Sequence, residues 1–222
     1  DENDLIKWCL MVEKLGKIAE ILVVDDEHSV VTYRLSSSEP LGSNSPLTPD
    51  DLGYISELEF TIVDNGGAFF SEGSEWPCDF IGIPLHGGRL IDSCELEVIT
   101  CFKKRMLNFN NGKFALKGEE NSDTSNLLLE LWGRRLNTRP GFKYGTKWRC
   151  YPGVTGDGHA PWLVIDPNSQ RPENWGEACL SSRLASGVNK IWLYPIHEKG
   201  SWVFLEISRP PSDSRWANPT RK

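Results

Sequence analysis

The sequence predicts a mixed α/β protein in which helices and strands alternate along the chain. Apolar residues recur at helical spacing between residues 4 and 20, which predicts an N-terminal helix. Short apolar or alternating runs bounded by Gly, Pro, Asn and Asp recur further along and predict strands. With 222 residues, 39% of them hydrophobic and 25% charged, the chain can bury one large core or two smaller ones.

After the first helix, two strands are predicted around the charged turn Asp25-Asp26-Glu27. Residues 36–52 are rich in Ser, Pro, Gly and Asn and predict a loop, near whose end Thr48 is predicted to cap a short helix. A strand over 57–63 and an Asp-Asn-Gly-Gly turn are expected next. Further β structure is predicted over residues 79–91 and 94–102.

A polar, turn-rich segment lies near the middle of the chain, at residues 107–126. Domain boundaries fall in such segments, and this one is placed near residues 112–120. The sequence therefore predicts an N-terminal mixed α/β domain over residues 1–115 and a second domain over 116–222. The first half could be a degenerate copy of the second or a structural domain.

The second half predicts the element order α-β-β-α-β-β. Its first helix is expected to be capped by Asp123 or Ser125. The proline-rich tail over 209–222 is expected to be loosely ordered. The predicted helices span 123–137 and 179–189, and the strands lie within 141–153, 160–167, 190–196 and 201–208.

The overall charge argues against a general nucleic-acid binder, because the net charge is −7 and the pI is about 5.2. A local patch can nevertheless attract phosphate. Between Leu131 and Tyr151 the chain has six basic residues and no acidic one. Two interpretations stay open, a solvated helix face followed by a strand edge, or a nucleic-acid contact. The six are Arg134, Arg135, Arg139, Lys143, Lys147 and Arg149.

The six cysteines form no CxxC pair, which argues against a zinc knuckle, and they are expected to be reduced thiols of an intracellular protein. No apolar run approaches the roughly 20 residues that span a bilayer, and no secretory signal is visible. Neither a membrane partner nor a cofactor is therefore expected.

Three side chains in the second half suit acid–base chemistry, and each lies at the end of a predicted element. Tyr151 follows a strand, His159 closes the next loop, and Lys190 begins a strand. Paired strands would bring Tyr151 and His159 together. Taken singly, each has an ordinary structural interpretation, as a packing tyrosine, a turn histidine and an exposed lysine.

Together the three residue types suit RNA cleavage without a metal. The 2′-hydroxyl must lose a proton and the 5′-oxygen must gain one. Histidine titrates near neutrality and can donate that proton. A tyrosine, with an ordinary pKa of about 10, can accept a proton only where cations lower that value. A lysine can stabilise the extra negative charge of the phosphorane.

Four motifs in order resemble the catalytic domain of the tRNA-splicing endonucleases, also called tRNA-intron lyases. They are Lys143-Tyr144-Gly145, Tyr151, His159-Ala160 and the segment from Arg183 to Lys190. The resemblance covers about residues 124–208. It implies a C-terminal catalytic domain of the restriction-endonuclease-like type, following the N-terminal mixed α/β domain.

The resemblance implies that Tyr151 is the general base, His159 the general acid and Lys190 the transition-state stabiliser. It implies cleavage of precursor tRNA at intron–exon junctions of bulge–helix–bulge type, with 2′,3′-cyclic phosphate and 5′-hydroxyl ends and no metal. The implied compartment is the cytoplasm of an archaeon or the nucleus of a eukaryote.

The family also holds a bulge base between two cationic or aromatic side chains. Arg183 matches one of them, and either Arg209 or Trp202 is the candidate for the other. Lys143, Lys147 and Arg149 are further candidates for RNA contact. The resemblance implies a homo-oligomer or a hetero-oligomer with other endonuclease subunits.

Three points leave alternatives open. Family assembly uses an acidic loop, but the late loop here has one acid, Glu198, beside Lys199. A non-catalytic structural subunit is the main alternative function. A metal-dependent nuclease of restriction-enzyme type is disfavoured, because no Glu-x-Lys follows Asp166 on the next strand.

Overall fold

Two compact units make up the computed structural model, which describes residues 2–24, 27–28, 30–71, 75–117, 122–156, 158–198 and 200–210. Each unit combines segments that are not consecutive in sequence. Unit 1 comprises Asp1–Glu39, Gly141–Arg149 and Pro161–Lys222, and unit 2 comprises Pro40–Pro140 and Cys150–Ala160. The predicted division of the chain at residue 115 into a catalytic and a second domain stays a prediction.

The predicted mixed α/β class is confirmed. The helices are α1 (Glu2–Lys14), α2 (Pro49–Glu57), α3 (Ser93–Lys103), α4 (Asp123–Gly133) and α5 (Trp175–Ser186), with a 3-10 helix at Phe142–Tyr144. The strands are β1 (Ala19–Val24), β2 (Val30–Ser38), β3 (Thr61–Ile62), β4 (Ala68–Ser71), β5 (Ile83–Leu85), β6 (Gly88–Ile91), β7 (Leu107–Asn110), β8 (Lys113–Leu116), β9 (Asn137–Pro140), β10 (Trp148–Tyr151), β11 (Trp162–Val164), β12 (Ile191–Glu198) and β13 (Ser201–Ser208).

The sheet of unit 1 has the strand order β1-β2-β13-β12-β11, and the first residues of β10 follow next to β11. Strands β1, β2, β13 and β12 pair antiparallel with their neighbours. Strands β11 and β12 pair parallel, with Trp162 opposite Ile191. A parallel pair needs a long crossover, and α5 supplies it.

One hydrophobic cluster holds unit 1 together. Ile6 and Cys9 on α1 pack with Ala178 and Cys179 on α5 against buried residues of the strands. Burying each large aliphatic side chain stabilises the fold by about 1.5–3 kcal/mol. The strand residues of the cluster are Ala19, Tyr33, Leu35, Leu163, Trp192, Tyr194, Ile196, Leu205 and Ile207.

Unit 2 contains the four-stranded sheet β3-β4-β6-β5, the β7–β8 hairpin, strand β9, the last residues of β10 and three helices that pack on one another. Helix α3 contacts both α2 and α4, and α4 contacts β8 and β9. Trp132 of α4 is buried and donates its indole N–H to Thr138 Oγ1 at 3.0 Å. The hairpin lies within the segment predicted as a turn-rich boundary, and Asn111-Gly112 with positive φ angles forms its turn.

The largest difference from the sequence prediction is α3, because β structure was expected over 94–102. Val98, Ile99 and Thr100 favour a strand by propensity. A capping box stabilises the helix instead. The side chain of Asp92 accepts the backbone N–H of Glu95 at 2.9 Å, and the side chain of Glu95 accepts the backbone N–H of Asp92 at 3.0 Å. The predicted Thr48 cap is confirmed by the same type of box with Asp51.

Four smaller differences have local causes. The first helix ends at Lys14, because Gly16 takes a positive φ of 66° before β1 begins. Helix α4 is capped by Ser122, one residue before Asp123, the nearer of the two predicted candidates. The strand expected over 57–63 is reduced to β3, because α2 continues to Glu57. The additional strand β9 changes the order of the second half to α-β-β-β-α-β-β.

Several sequence predictions lie outside the described residues, namely those on Asp25, Asp26, Lys199 and the end of the tail. None of the six cysteines forms a disulfide, and five of them are buried. Burial raises the pKa of Cys9 to about 11. Among the described helices, none has the length and apolar character to cross a bilayer.

Candidate active site

Lys190 is fixed at the junction between α5 and β12 in unit 1. The helix ends in a Schellman motif, in which Asn189 takes a φ of 55° and the N–H of Lys190 donates to the carbonyl of Ala185 at 3.0 Å. The next N–H, that of Ile191, donates to the carbonyl of Pro161 at 2.8 Å. Lys190 is only 8% exposed. Its backbone is therefore held on both sides, as a preorganised catalytic cation requires.

The aromatic ring of Tyr144 supports the Lys190 ammonium group. Lys190 Nζ lies 5.3 Å from the ring centroid, within the range of a cation–π interaction. The ring is presented by the 3-10 helix, which Gly145 ends in the left-handed region. At Gly141 a Cβ would overlap Thr146, so only glycine allows this close turn. The Lys-Tyr-Gly motif thus supplies a packing partner for Lys190, a role that sequence reasoning missed.

A cavity of about 630 Å³ lies beside this motif in unit 1. Lys143 and Tyr144 line it together with Arg171 and Trp192. Arg171 Nε donates to the hydroxyl of Tyr194 at 2.9 Å, which fixes one wall. Besides these cationic and aromatic groups, aliphatic side chains and the acidic Glu177 line the cavity, which lies next to the ring that supports Lys190.

Tyr151 and His159 belong to unit 2. Tyr151 is the last residue of β10 and therefore lies at a strand end, as predicted. Its side chain is 8% exposed. His159 is exposed and precedes the buried Ala160. Since Lys190 lies in unit 1, the union of the three side chains in one site stays a prediction.

The buried cation Arg139 interacts electrostatically with Tyr151 within unit 2. Arg139 is 6% exposed, and its guanidinium donates to the carbonyls of Phe80 at 3.1 Å and Asp79 at 2.5 Å. Burial lowers the pKa of Arg139, whereas the carboxylate of Glu95 opposes that shift.

Three of the six basic residues between Leu131 and Tyr151 are bonded to other protein groups inside unit 2 and do not form a phosphate-binding patch. Arg134 Nε bonds Glu130 at 2.7 Å, and Arg135 Nε donates to the carbonyl of Asn44 at 2.5 Å. Arg139 is bound to carbonyls as described above. The three remaining cations lie in unit 1. Of these Lys143 is exposed, Lys147 and Arg149 are half-buried, and Lys147 Nζ lies 5.8 Å from the ring centroid of Trp148.

The candidates for base stacking differ in exposure. Arg183 on α5 and Arg209 after β13 are both exposed. Trp202 is 8% exposed, and its ring packs on that of His197 with 4.9 Å between the centroids. Arg209 is therefore better placed than Trp202 to reach a nucleotide. Among the described residues, no group of three or more His, Cys, Asp or Glu side chains is arranged to hold a metal ion.

Comparison with known proteins agrees with the motif resemblance. Residues 128–204 match the family model of the tRNA intron endonuclease catalytic C-terminal domain. Over 188 aligned residues the chain is 27% identical to a tRNA-splicing endonuclease of Picrophilus torridus. The aligned region covers 85% of this chain and 55% of that protein. The chain thus spans about half the length of this curated relative.

The matched segment contains Tyr151, His159, Arg183 and Lys190. The resemblance of residues 124–208 to the catalytic domain of the tRNA-splicing endonucleases is therefore confirmed.

Proposed function

We propose that this chain is a metal-independent RNA endonuclease that cleaves precursor tRNA at intron–exon junctions. The observation that carries the proposal is the match of residues 128–204 to the catalytic domain, with Tyr151, His159 and Lys190 all present within it. The name of the Picrophilus torridus relative points to the same reaction.

In this mechanism Tyr151 removes the proton of the 2′-hydroxyl, and the 2′-oxygen attacks the adjacent phosphorus. A bond forms between the 2′-oxygen and phosphorus, and the bond from phosphorus to the 5′-oxygen breaks. His159 donates a proton to that leaving oxygen. The products are a 2′,3′-cyclic phosphate and a 5′-hydroxyl, so no water is consumed.

Lys190 stabilises the additional negative charge of the phosphorane. Burial strengthens its interaction with that charge, because the local dielectric is low. The Schellman motif fixes the backbone of Lys190, and the ring of Tyr144 lies beside its ammonium group before the substrate binds, which limits reorganisation during the reaction.

Substrate selection is proposed to rest on the bulge–helix–bulge shape. Arg183 would stack on one face of a bulge base and Arg209 on the other, since both are exposed and guanidinium planes stack well on bases. Lys143, Lys147 and Arg149 would contact phosphates. Assembly into a homo- or hetero-oligomer is part of this proposal.

The direct test is His159→Ala, assayed in single turnover on an intron-bearing precursor tRNA. Loss of the general acid should slow cleavage by about 10²–10⁴-fold while RNA binding stays near the wild-type value. His86→Ala is the matched control, because His86 is also exposed and lies in the turn between β5 and β6 of unit 2. Wild-type rates for His159→Ala would contradict the proposed mechanism.

The same assay separates the alternative function. A non-catalytic structural subunit would not cleave by itself, and substitutions at Tyr151 or His159 would leave the activity of a reconstituted complex unchanged. If the purified chain cleaves the RNA, and this cleavage is lost on substitution of either Tyr151 or His159, the structural-subunit alternative is excluded.

A further inference from the structure

Residues 152–158 connect Tyr151 to His159 in the sequence, and three of the seven are glycines. Gly156 and Gly158 take φ angles of 117° and 153°, a region that other residues rarely adopt. Such a loop loses much conformational entropy on ordering. Because His159 is exposed, its position depends on contacts that hold this loop.

The start of the loop is held by a segment from the N-terminal half of the chain. The carbonyl of Pro152 accepts hydrogen bonds from the N–H of Ser43 at 2.6 Å and from Ser43 Oγ at 3.0 Å. A Cβ at Gly42 would overlap the carbonyl of Arg135, so the backbone can approach closely only with glycine there. The residue directly after Tyr151 is thus bound to a packed backbone.

The middle of the loop is held by a buried amide. Asn137 Nδ2 donates to Thr155 Oγ1 at 3.0 Å, and Asn137 is completely buried at the start of β9. Among the described residues, Asn137 Oδ1 has no hydrogen-bond partner. A buried amide with an unmet acceptor destabilises the fold. Packing alone therefore does not account for an asparagine at this position.

We propose that Asn137 and Ser43 are positioning residues. They hold residues 152–155, which follow Tyr151, and thereby limit how far His159 can lie from Tyr151. The inference rests on the proposed function and assigns a role within it to Gly42 and Ser43. That segment of the N-terminal half then helps to shape the catalytic centre, although it contributes no reacting group.

The test uses Thr155, because it is exposed and its replacement should not unfold the protein. Thr155→Val removes the hydroxyl but keeps the shape of the side chain, whereas Thr155→Ser keeps the hydroxyl. We expect Thr155→Val to lower kcat about tenfold with KM unchanged, since misplacement of a catalytic group by about 1 Å can cost up to about 10²-fold. Thr155→Ser should stay within about twofold of the wild type.

A second pair of variants, at Ser43, tests the contact with the carbonyl of Pro152. Ser43→Ala removes one of the two hydrogen bonds to Pro152, whereas Ser43→Thr retains a hydroxyl. Combined with Thr155→Val, Ser43→Ala should lower kcat further, and Ser43→Thr should not. Equal losses for the two members of either pair would overturn the positioning role, because that role requires the hydroxyl that only one member keeps.

Proton NMR supplies a readout that does not require activity. The chain has four histidines, so the ring signal of His159 can be assigned by its disappearance in His159→Ala. Thr155→Val should shift or broaden this signal, whereas the signal of His86 should not move. An unchanged His159 signal overturns the inference, even if the proposed cleavage is absent. A changed signal in a protein that does not cleave supports the inference and contradicts only the proposed function.

Discussion

The buried carboxyl group of Glu95 predicts a specific dependence of stability on pH. Glu95 is 6% exposed, and its two oxygens accept the N–H groups of Gly82 at 2.9 Å and Asp92 at 3.0 Å. Burial, followed by the negative charge of Asp92, raises the pKa of Glu95 to about 8. The two N–H donors and the positive charge of Arg139 oppose this shift without cancelling it.

The sign of the effect follows from proton binding in the two states. Between the ordinary pKa of a glutamate, about 4.3, and about 8, the folded protein keeps a proton on Glu95 that the unfolded chain has lost. The contribution to stability is therefore complete below pH 4 or so and is lost as the pH rises towards 8. One proton corresponds to about 1.4 kcal/mol per pH unit, or on the order of 5 kcal/mol over this window.

The assay is urea unfolding of the wild type and of Glu95→Gln at several pH values between about 5 and 9. The difference in unfolding free energy isolates Glu95, because other titrating groups are common to both proteins. Glu95→Gln costs about 1–3 kcal/mol at low pH, since an amide NH₂ then faces a backbone N–H. The wild type should lose this advantage as the pH rises and should be less stable than Glu95→Gln by about pH 8. A difference that does not change with pH would refute the reasoning.

Three further substitutions test local features of the two units. Asn189→Val should destabilise the protein by about 1–2 kcal/mol because of its left-handed backbone, and Asn189→Gly should not; equal urea midpoints would contradict the Schellman argument. Tyr144→Leu should lower cleavage up to about tenfold while Tyr144→Phe keeps the aromatic support of Lys190, and equal rates for the two variants would remove that role. Gly42→Ala should cost about 1–3 kcal/mol in urea unfolding, because its Cβ overlaps a carbonyl; wild-type stability would show that the loop can shift.

The parts of the fold that sequence patterns predict are those decided by local periodicity. The hairpin of β1 and β2, helix α5 and the last two strands follow from alternating or helical spacing of apolar residues. Helix α3 could not be assigned in this way, because its β-branched residues favour a strand. The capping box between Asp92 and Glu95, with burial of Val98 and Ile99, outweighs that preference.

In the candidate site, too, local sequence motifs predict some residues, whereas the roles of others depend on tertiary contacts. The motifs identify Tyr151, His159 and Lys190 because they sit at element ends with recognisable neighbours. The contacts of Arg139 and Asn137 were not predicted, since their roles depend on burial and on partners distant in sequence. An arginine in a basic run looks like a phosphate contact until the structure shows its guanidinium bonded to backbone carbonyls.

Cleavage in the presence of EDTA is the most direct test of the central claim. Purified protein would be incubated with an intron-bearing precursor tRNA in excess EDTA, and the ends of the products would be analysed. Catalysis by Tyr151, His159 and Lys190 predicts undiminished cleavage at the intron–exon junctions, with 2′,3′-cyclic phosphate and 5′-hydroxyl ends. Loss of cleavage in EDTA and its return on addition of Mg²⁺ would contradict the metal-independent mechanism.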